Sequence, residues 1–234
     1  MEEVERSMHE FRLAASLREE GNVPGAVQHA RRALRLDPDN ARAMLLLALI
    51  HHDRGEHAES IALARRAVGV LERRDDEPST LAEARNVLGG LLVATGRHAE
   101  AVELLRSSAS DIHNREPWHA RLNLGRALHG LGRNEEAIGE IETAVRLQPR
   151  FCVGHYWLGQ VRFASGDVQG AEEAFGRAIE ADERCGRWQE AWRLRGEMRA
   201  RLGRRSDAVA DFERCVALDA RTETGRACRR YLEE

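Results

Sequence analysis

Ten histidines, four cysteines and several paired glutamates are the residues of this 234-residue chain whose types could do chemistry. The glycines of GRALHGLGR, residues 125–133, resemble in composition a loop that cradles phosphate. Such a loop needs a strand before it and a helix after it, so that backbone N–H groups converge on the anion. No strand signal precedes this stretch, and its glycines fall at packing and turn positions. The histidines, among them His51, His52 and His57, are dispersed. None has the His-Glu-x-x-His spacing that sets two imidazoles on one helix face around zinc. Glu135-Glu136 and Glu172-Glu173 open predicted second helices of hairpins, where carboxylates complement the positive end of the helix dipole. No nucleophile stands in a recognisable arrangement with a base. The reading is therefore a chain that is not an enzyme, with no catalytic, metal or cofactor-binding residue and no cofactor.

The elements that would position any site are helices. Ala, Leu, Arg and Glu dominate, whereas the five Pro, two Tyr and few β-branched residues argue against sheet. The composition, 42% hydrophobic and 32% charged, suits a globular or repeat protein able to bury a continuous core. A net charge of −3 supplies no overall pull toward nucleic acid or an anionic membrane. All 36 basic residues are Arg, spread along the chain, which reads as coding bias more than as selection for guanidinium contacts. The longest apolar run, Ala43 to Ile50, is far short of the roughly 20 residues needed to cross a bilayer. No signal peptide is read in a chain that begins Met1-Glu2-Glu3.

A repeat organises these helices. Gly21, Gly55, Gly96, Gly132, Gly166 and Gly203 each end an apolar-periodic run of helical spacing. Seven residues earlier stand Ala14, Ala48, Gly89, Gly125, Gly159 and Gly196. Five residues later stand Ala26, Ser60, Ala101, Ala137, Ala171 and Ala208, and seven beyond those Ala33, Ala67, Ser108, Ala144, Ala178 and Cys215. Antiparallel helices approach closely only where side chains are small, so the small residue of the first helix is expected to face the Ala of the second. The turn glycine is expected to take the left-handed conformation, and Pro38 and Pro149 to stop second helices.

This pattern resembles the tetratricopeptide repeat over nearly the whole chain. The resemblance implies an all-α, right-handed superhelical solenoid of six helical hairpins plus a C-terminal capping helix, as one domain over 1–234. The units are 7–40, 41–74, 82–115, 118–151, 152–185 and 189–222, with the cap at 223–234, where Tyr231 and Leu232 would cover the last hairpin. Residues 75–81, DDEPSTL, read as a solvated turn between units. By resemblance, set positions of each first helix line a concave groove. They give Phe11, Leu45, Leu49, Asn86, Val93, Leu122, Arg126, Tyr156, Gln160 and Phe163 as the partner-binding residues, with a charged last unit of Glu190, Arg193, Glu197 and Arg201. An apolar strip of this kind suits a helix or extended segment of another protein. Co-chaperones of the family grip a C-terminal carboxylate with Lys and Asn where this chain has Phe11 and Ala15, so that clamp is missing.

A narrower resemblance lies in residues 83–128. Asn86, Gly89, Arg97, Glu100, Ala101, Asp111 and Asn123-Leu124-Gly125 resemble the third-to-fourth repeat junction of the type IV pilus pilotins, the PilF/PilW/Tgl family. The stretch RFCVGHYWLGQVRFASGDVQGAEEAFGRA and the placement of Cys215 and Cys228 resemble the myxobacterial Tgl branch. The resemblance implies an outer-membrane lipoprotein on the periplasmic side, which helps the secretin PilQ reach or assemble in that membrane. Membrane attachment would run only through an N-terminal lipid anchor, whose Cys this sequence lacks.

Cys152, Cys185, Cys215 and Cys228 all lie in the last third of the chain. In a cytosolic protein they would be buried thiols; in a periplasmic one they could staple the C-terminal repeats. Four cysteines allow three pairings. The favoured pairing is 215–228, joining the last hairpin to its cap, with 152–185, at the two ends of unit five. The rival reading is a cytoplasmic tetratricopeptide adaptor or regulator that binds a partner peptide in the same groove, with its cysteines reduced.

Overall fold

The computed structural model describes residues 2–74 and 77–233. Thirteen α-helices and one turn of 3-10 helix are formed among the described residues. The chain divides into two compact units, Met1–Asn123 and Leu124–Glu234.

In the first unit α1 (Glu2–Glu19) pairs with α2 (Val23–Leu36), α3 (Ala41–Asp53) with α4 (His57–Arg74), and α5 (Pro78–Ala94) with α6 (His98–Ser110). Helix α7 (Pro117–Gly130) spans the division between the units. The second unit continues with α8 (Asn134–Leu147), α9 (Cys152–Ala164) and α10 (Val168–Glu180). After the 3-10 turn Cys185–Arg187 come α11 (Gln189–Arg201), α12 (Arg205–Leu218) and α13 (Glu223–Glu233), the cap.

Local chemistry sets the ends of these helices. The Asn22, Asn40 and Asp167 side chains accept from the N–H of Gly25, Ala43 and Gly170 at 3.0, 3.0 and 2.8 Å, satisfying donors the first turns leave open. All six hairpin glycines are left-handed, with φ between 75° and 86°. Pro38 and Pro149 follow the ends of α2 and α8. Pro78 is the first residue of α5, where its missing N–H costs nothing. Residues 78–81, expected in a turn, are therefore the first turn of a helix; Asp75 and Asp76 lie outside the described residues.

The hairpin contact differs from the expected one. Small residues of the first helices meet the backbone or hydroxyl of the residue five positions after the turn glycine, as Gly125 does at Ala137 and Ala48 at Ser60, but the bulk that fills the contact is the side chain one helical turn further on. A Cβ on Gly159 would come within 2.7 Å of the Phe175 ring, and one on Gly196 within 2.8 Å of Phe212. Gly89 and Gly125 likewise receive Leu105 and Ile141. In the first two hairpins the equivalent repeat positions hold Ala14 and Ala30, and Ala48 and Ala64, all fully buried. A glycine thus faces a large side chain, and where the first position is alanine the second is alanine too. The interhelical space is filled either way.

Where a repeat position holds Ser, its hydroxyl is satisfied by the adjoining helix. Ser60 donates to the Ala48 carbonyl and Ser108 to the Ala82 carbonyl, each at 2.7 Å. Glu172 also departs from expectation. It lies beyond the first turn of α10, is buried, and accepts from Arg199 at 2.9 Å and Arg204 at 3.4 Å. Alongside it, Arg195 donates to both oxygens of Asp211 at 2.9 and 2.7 Å, and Arg199 adds a third bond at 3.0 Å. This buried charge cluster ties α10, α11 and α12 together.

Two disulfides close the second unit. Cys152, at the start of α9, joins Cys185 in the 3-10 turn, and Cys215 of α12 joins Cys228 of the cap. Helix α13 has a strongly apolar side, and it packs there: Cys228 and Leu232 meet Ala208, Phe212 and Cys215, while Tyr231 stacks on Phe212 at 4.6 Å.

Three outcomes are expected in urea denaturation. Gly159→Ala lowers stability by about 1–3 kcal/mol, because Phe175 is fully enclosed and cannot withdraw. Adding Gly159→Ala to Phe175→Ala, which copies the Ala14–Ala30 arrangement, makes the double variant more stable than Phe175→Ala alone. Replacing Cys215 and Cys228 together by Ser costs about 3 kcal/mol by loss of the loop constraint, and exposes the arginines of α13 to trypsin.

Candidate protein-binding surface

The first helices of the first unit build one concavity. A cavity of about 540 Å³ is lined by α1, α3, α5 and the loop 114–116. Phe11, Leu45, Leu49 and Asn86 meet there, as four of the expected groove residues. Phe11 also packs on the core formed by Ala14, Ala30 and Leu46, which holds its ring in place. Leu49 is half-buried, and Leu45 is only 5% exposed. Asn86 is oriented by its neighbour: its Oδ1 accepts from the Asn123 amide at 2.9 Å, and that amide lies over Gly90.

Val93 and Leu122 do not join this cavity. They are 7% and 4% exposed and belong to the packed wall of buried residues. The lining also holds residues that repeat positions alone do not indicate: Arg18, Arg42, Thr80, Asn114 and Arg115. Arg42 donates to Thr80 at 3.0 Å and to Glu77 at 3.1 Å; Arg18 reaches Asp53 at 3.3 Å. The long connection between α6 and α7 was the signal for Asn114 and Arg115. It is fixed by Asn114, which donates to the Ser108 carbonyl at 2.8 Å and accepts from the Glu116 N–H at 2.9 Å. The cavity is thus half polar and not the oily strip the sequence suggests.

The corresponding residues of the second unit are engaged with their own chain. Tyr156 stacks on Trp188, with centroids 4.3 Å apart, and its hydroxyl accepts from the Gln160 amide at 2.9 Å. Burial pushes the Tyr156 phenol above its ordinary pKa. Phe163 lies beneath the Arg201 guanidinium at 5.1 Å, and Arg126 lies over Trp157 at 4.6 Å. Burial lowers the pKa of Arg126. Arg193 sits between Glu190 and Glu197; the carboxylates raise its pKa, and Tyr231 donates to Glu197 at 3.0 Å. Here the surface is aromatic and guanidinium, with little bare aliphatic area. Among the described residues no group of three or more His, Cys, Asp or Glu is placed to hold a metal ion, and no helix is long and apolar enough to cross a membrane.

Antiparallel hairpins, positive-φ glycine turns and a concavity lined by first helices define a helical-repeat scaffold for protein–protein contact. The chain belongs to the tetratricopeptide-repeat family: family models match residues 11–79, 106–150 and 156–222, and a second model residues 81–111. It is similar to the Protein CTR9 homolog of Arabidopsis thaliana, 25% identical over 86% of this chain. It is also similar to the Cellulose synthase operon protein C of Xanthomonas axonopodis pv. citri, 31% identical over 71% of this chain. The chain spans only 18% and 11% of the lengths of those two proteins. Among solved structures it resembles PilW, a widely conserved type IV pilus biogenesis factor. That likeness has a TM-score of 0.82 at 20% identity and covers 94% of this chain and 97% of PilW. It resembles PilF of Pseudomonas aeruginosa with a TM-score of 0.79 at 18% identity, covering all of both chains. At such identities the likeness is one of fold.

Burial separates contact residues from wall residues in a measurable way. Val93→Asp is expected to cost more than about 3 kcal/mol, as an unpaired charge in a packed wall. Leu49→Asp, half open to water, is expected to cost less than half as much. Equal losses in thermal melts of the two variants would place Leu49 in the wall as well.

Proposed function

We propose that the chain is a type IV pilus pilotin. It is a non-enzymatic factor on the periplasmic side of the outer membrane, held there by an N-terminal lipid anchor outside this sequence. Its partner is the secretin subunit PilQ. The concave surface of the first unit holds a PilQ segment, shielding apolar or strand-edge surface until the subunits assemble, a task that needs binding and no catalysis.

The fold likeness to PilW and PilF along almost the entire chain is the observation that carries this reading. The paired cysteines support it, since disulfides persist in oxidising compartments such as the periplasm. The half-polar cavity suits a segment with one apolar side and a backbone that needs hydrogen-bond partners, which Asn86 and Arg42 stand ready to supply.

The test is capture of PilQ by the purified chain, with assembly of secretin multimers as the cellular readout. Leu49→Asp combined with Asn86→Ala is expected to lower capture by more than about tenfold while far-UV circular dichroism stays unchanged. Capture at the level of the unaltered chain would refute the groove assignment. Free thiols at all four cysteines in protein from the native host would refute the periplasmic one.

A further inference from the structure

The second unit carries a pocket that the proposed groove does not use. It lies between α8, the turn after it, α9 and α10, with a volume of about 500 Å³. Helix α9 therefore serves two surfaces. Tyr156, Gln160 and Phe163 share one face, whereas His155, Leu158 and Arg162, which line the pocket, lie about 130° round the axis.

The chemistry of the pocket is apolar below and basic above. Val145, Pro149, Leu158 and Ala181 supply its apolar lining. His155 is only 6% exposed; its Nε2 bonds to the Pro149 carbonyl at 3.0 Å, and its Nδ1 has no hydrogen-bond partner. Burial holds the imidazole below its ordinary pKa. Of the two carboxylates of the lining, Glu142 is paired with Arg162 at 2.6 Å, whereas Glu180 is exposed and lies 3.5 Å from Arg195, whose charge is already matched by Asp211. Arg146 and Arg177 are exposed and face no carboxylate within ion-pair distance among the described residues; Arg146 donates to Thr143 at 2.9 Å. Arg146 and Arg177 thus outweigh Glu180, which leaves the rim of an apolar floor net positive. A fitting ligand is an apolar side chain flanked by carboxylates.

The chain carries that feature itself. Helix α1 opens with three carboxylates in its first turn, Glu2, Glu3 and Glu5, more than any other helix whose first turn is described. Between Glu3 and Glu5 stands Val4, 49% exposed. Glu2 pairs with Arg6, while Glu3 and Glu5 make no ion pair among the described residues.

We propose that the pocket of α8, α9 and α10 is a self-association site that receives the first turn of α1 from a second copy of this chain. Val4 enters over Leu158, and Glu3 and Glu5 meet Arg146 and Arg177. The contact joins two different surfaces, so it either closes as a reciprocal pair or repeats as a row.

The test is sedimentation velocity of the full chain from low to high micromolar concentration at low ionic strength. Concentration-dependent association is expected, weakening as salt screens the exposed charges. Arg146→Glu with Arg177→Glu, and separately Glu3→Arg with Glu5→Arg, are each expected to weaken it by roughly tenfold or more. All four residues are exposed, so circular dichroism should not change. Mixing the two charge-reversed variants should restore association between them, because each pocket again meets an α1 of opposite sign. A chain that stays monomeric throughout overturns the proposal. So does association that survives both reversals, or association abolished by Leu49→Asp, which would route it through the groove. Loss of PilQ capture alone leaves this result untouched, so the two readings fail separately.

Discussion

Each hairpin closes on one pair of positions, one in each helix, and the rest of the structure depends on their combined bulk. Two helices at close packing distance leave a fixed space at the crossing. This chain fills it with Gly89 against Leu105, Gly125 against Ile141, Gly159 against Phe175 and Gly196 against Phe212, and in the first two hairpins the same positions hold Ala14 and Ala30, and Ala48 and Ala64, all buried. Because the space is shared, neither position tolerates change alone. The first helix is held at a set distance from the second, and that distance brings Phe11, Leu45 and Leu49 to one cavity.

The two units use their first helices differently. In the first, apolar side chains of α1, α3 and α5 stay partly open, and the polar groups beside them are oriented by their neighbours, as Asn86 is by Asn123. In the second, Trp188 covers Tyr156 and Arg201 covers Phe163. A guanidinium over an aromatic face keeps its charge hydrated at the edge while shielding the ring. Partly open apolar area on the first helices is thus concentrated in the first unit, and aromatic and ionic cover in the second.

Reinforcement is heaviest at the C-terminal end. The Arg195–Asp211 pair is buried, and a buried pair adds less net stability than its geometry suggests, since both charges are desolvated. What it does impose is orientation: a planar fork on a carboxylate fixes α11 against α12 in one register. The cap needs a different device. Helix α13 has only 11 residues, marginal for an isolated helix, and the Cys215–Cys228 bond holds it against Phe212.

The sequence by itself determined the repeat: turn glycines at fixed phase, small residues seven positions before them, prolines after second helices, and an all-helical composition. These are local constraints of backbone conformation and helix spacing, so they are legible without coordinates. The start of α5 is hidden in the sequence because a proline after three acids resembles a turn as much as a first helical residue. Which residue each glycine faces, the burial of Val93 and Leu122, the covering of Tyr156 by Trp188 and the ion pairs of Glu172 were decided only by the tertiary structure. They depend on rotation of one helix against the next and on side chains distant in sequence, and periodicity along one chain carries no record of either.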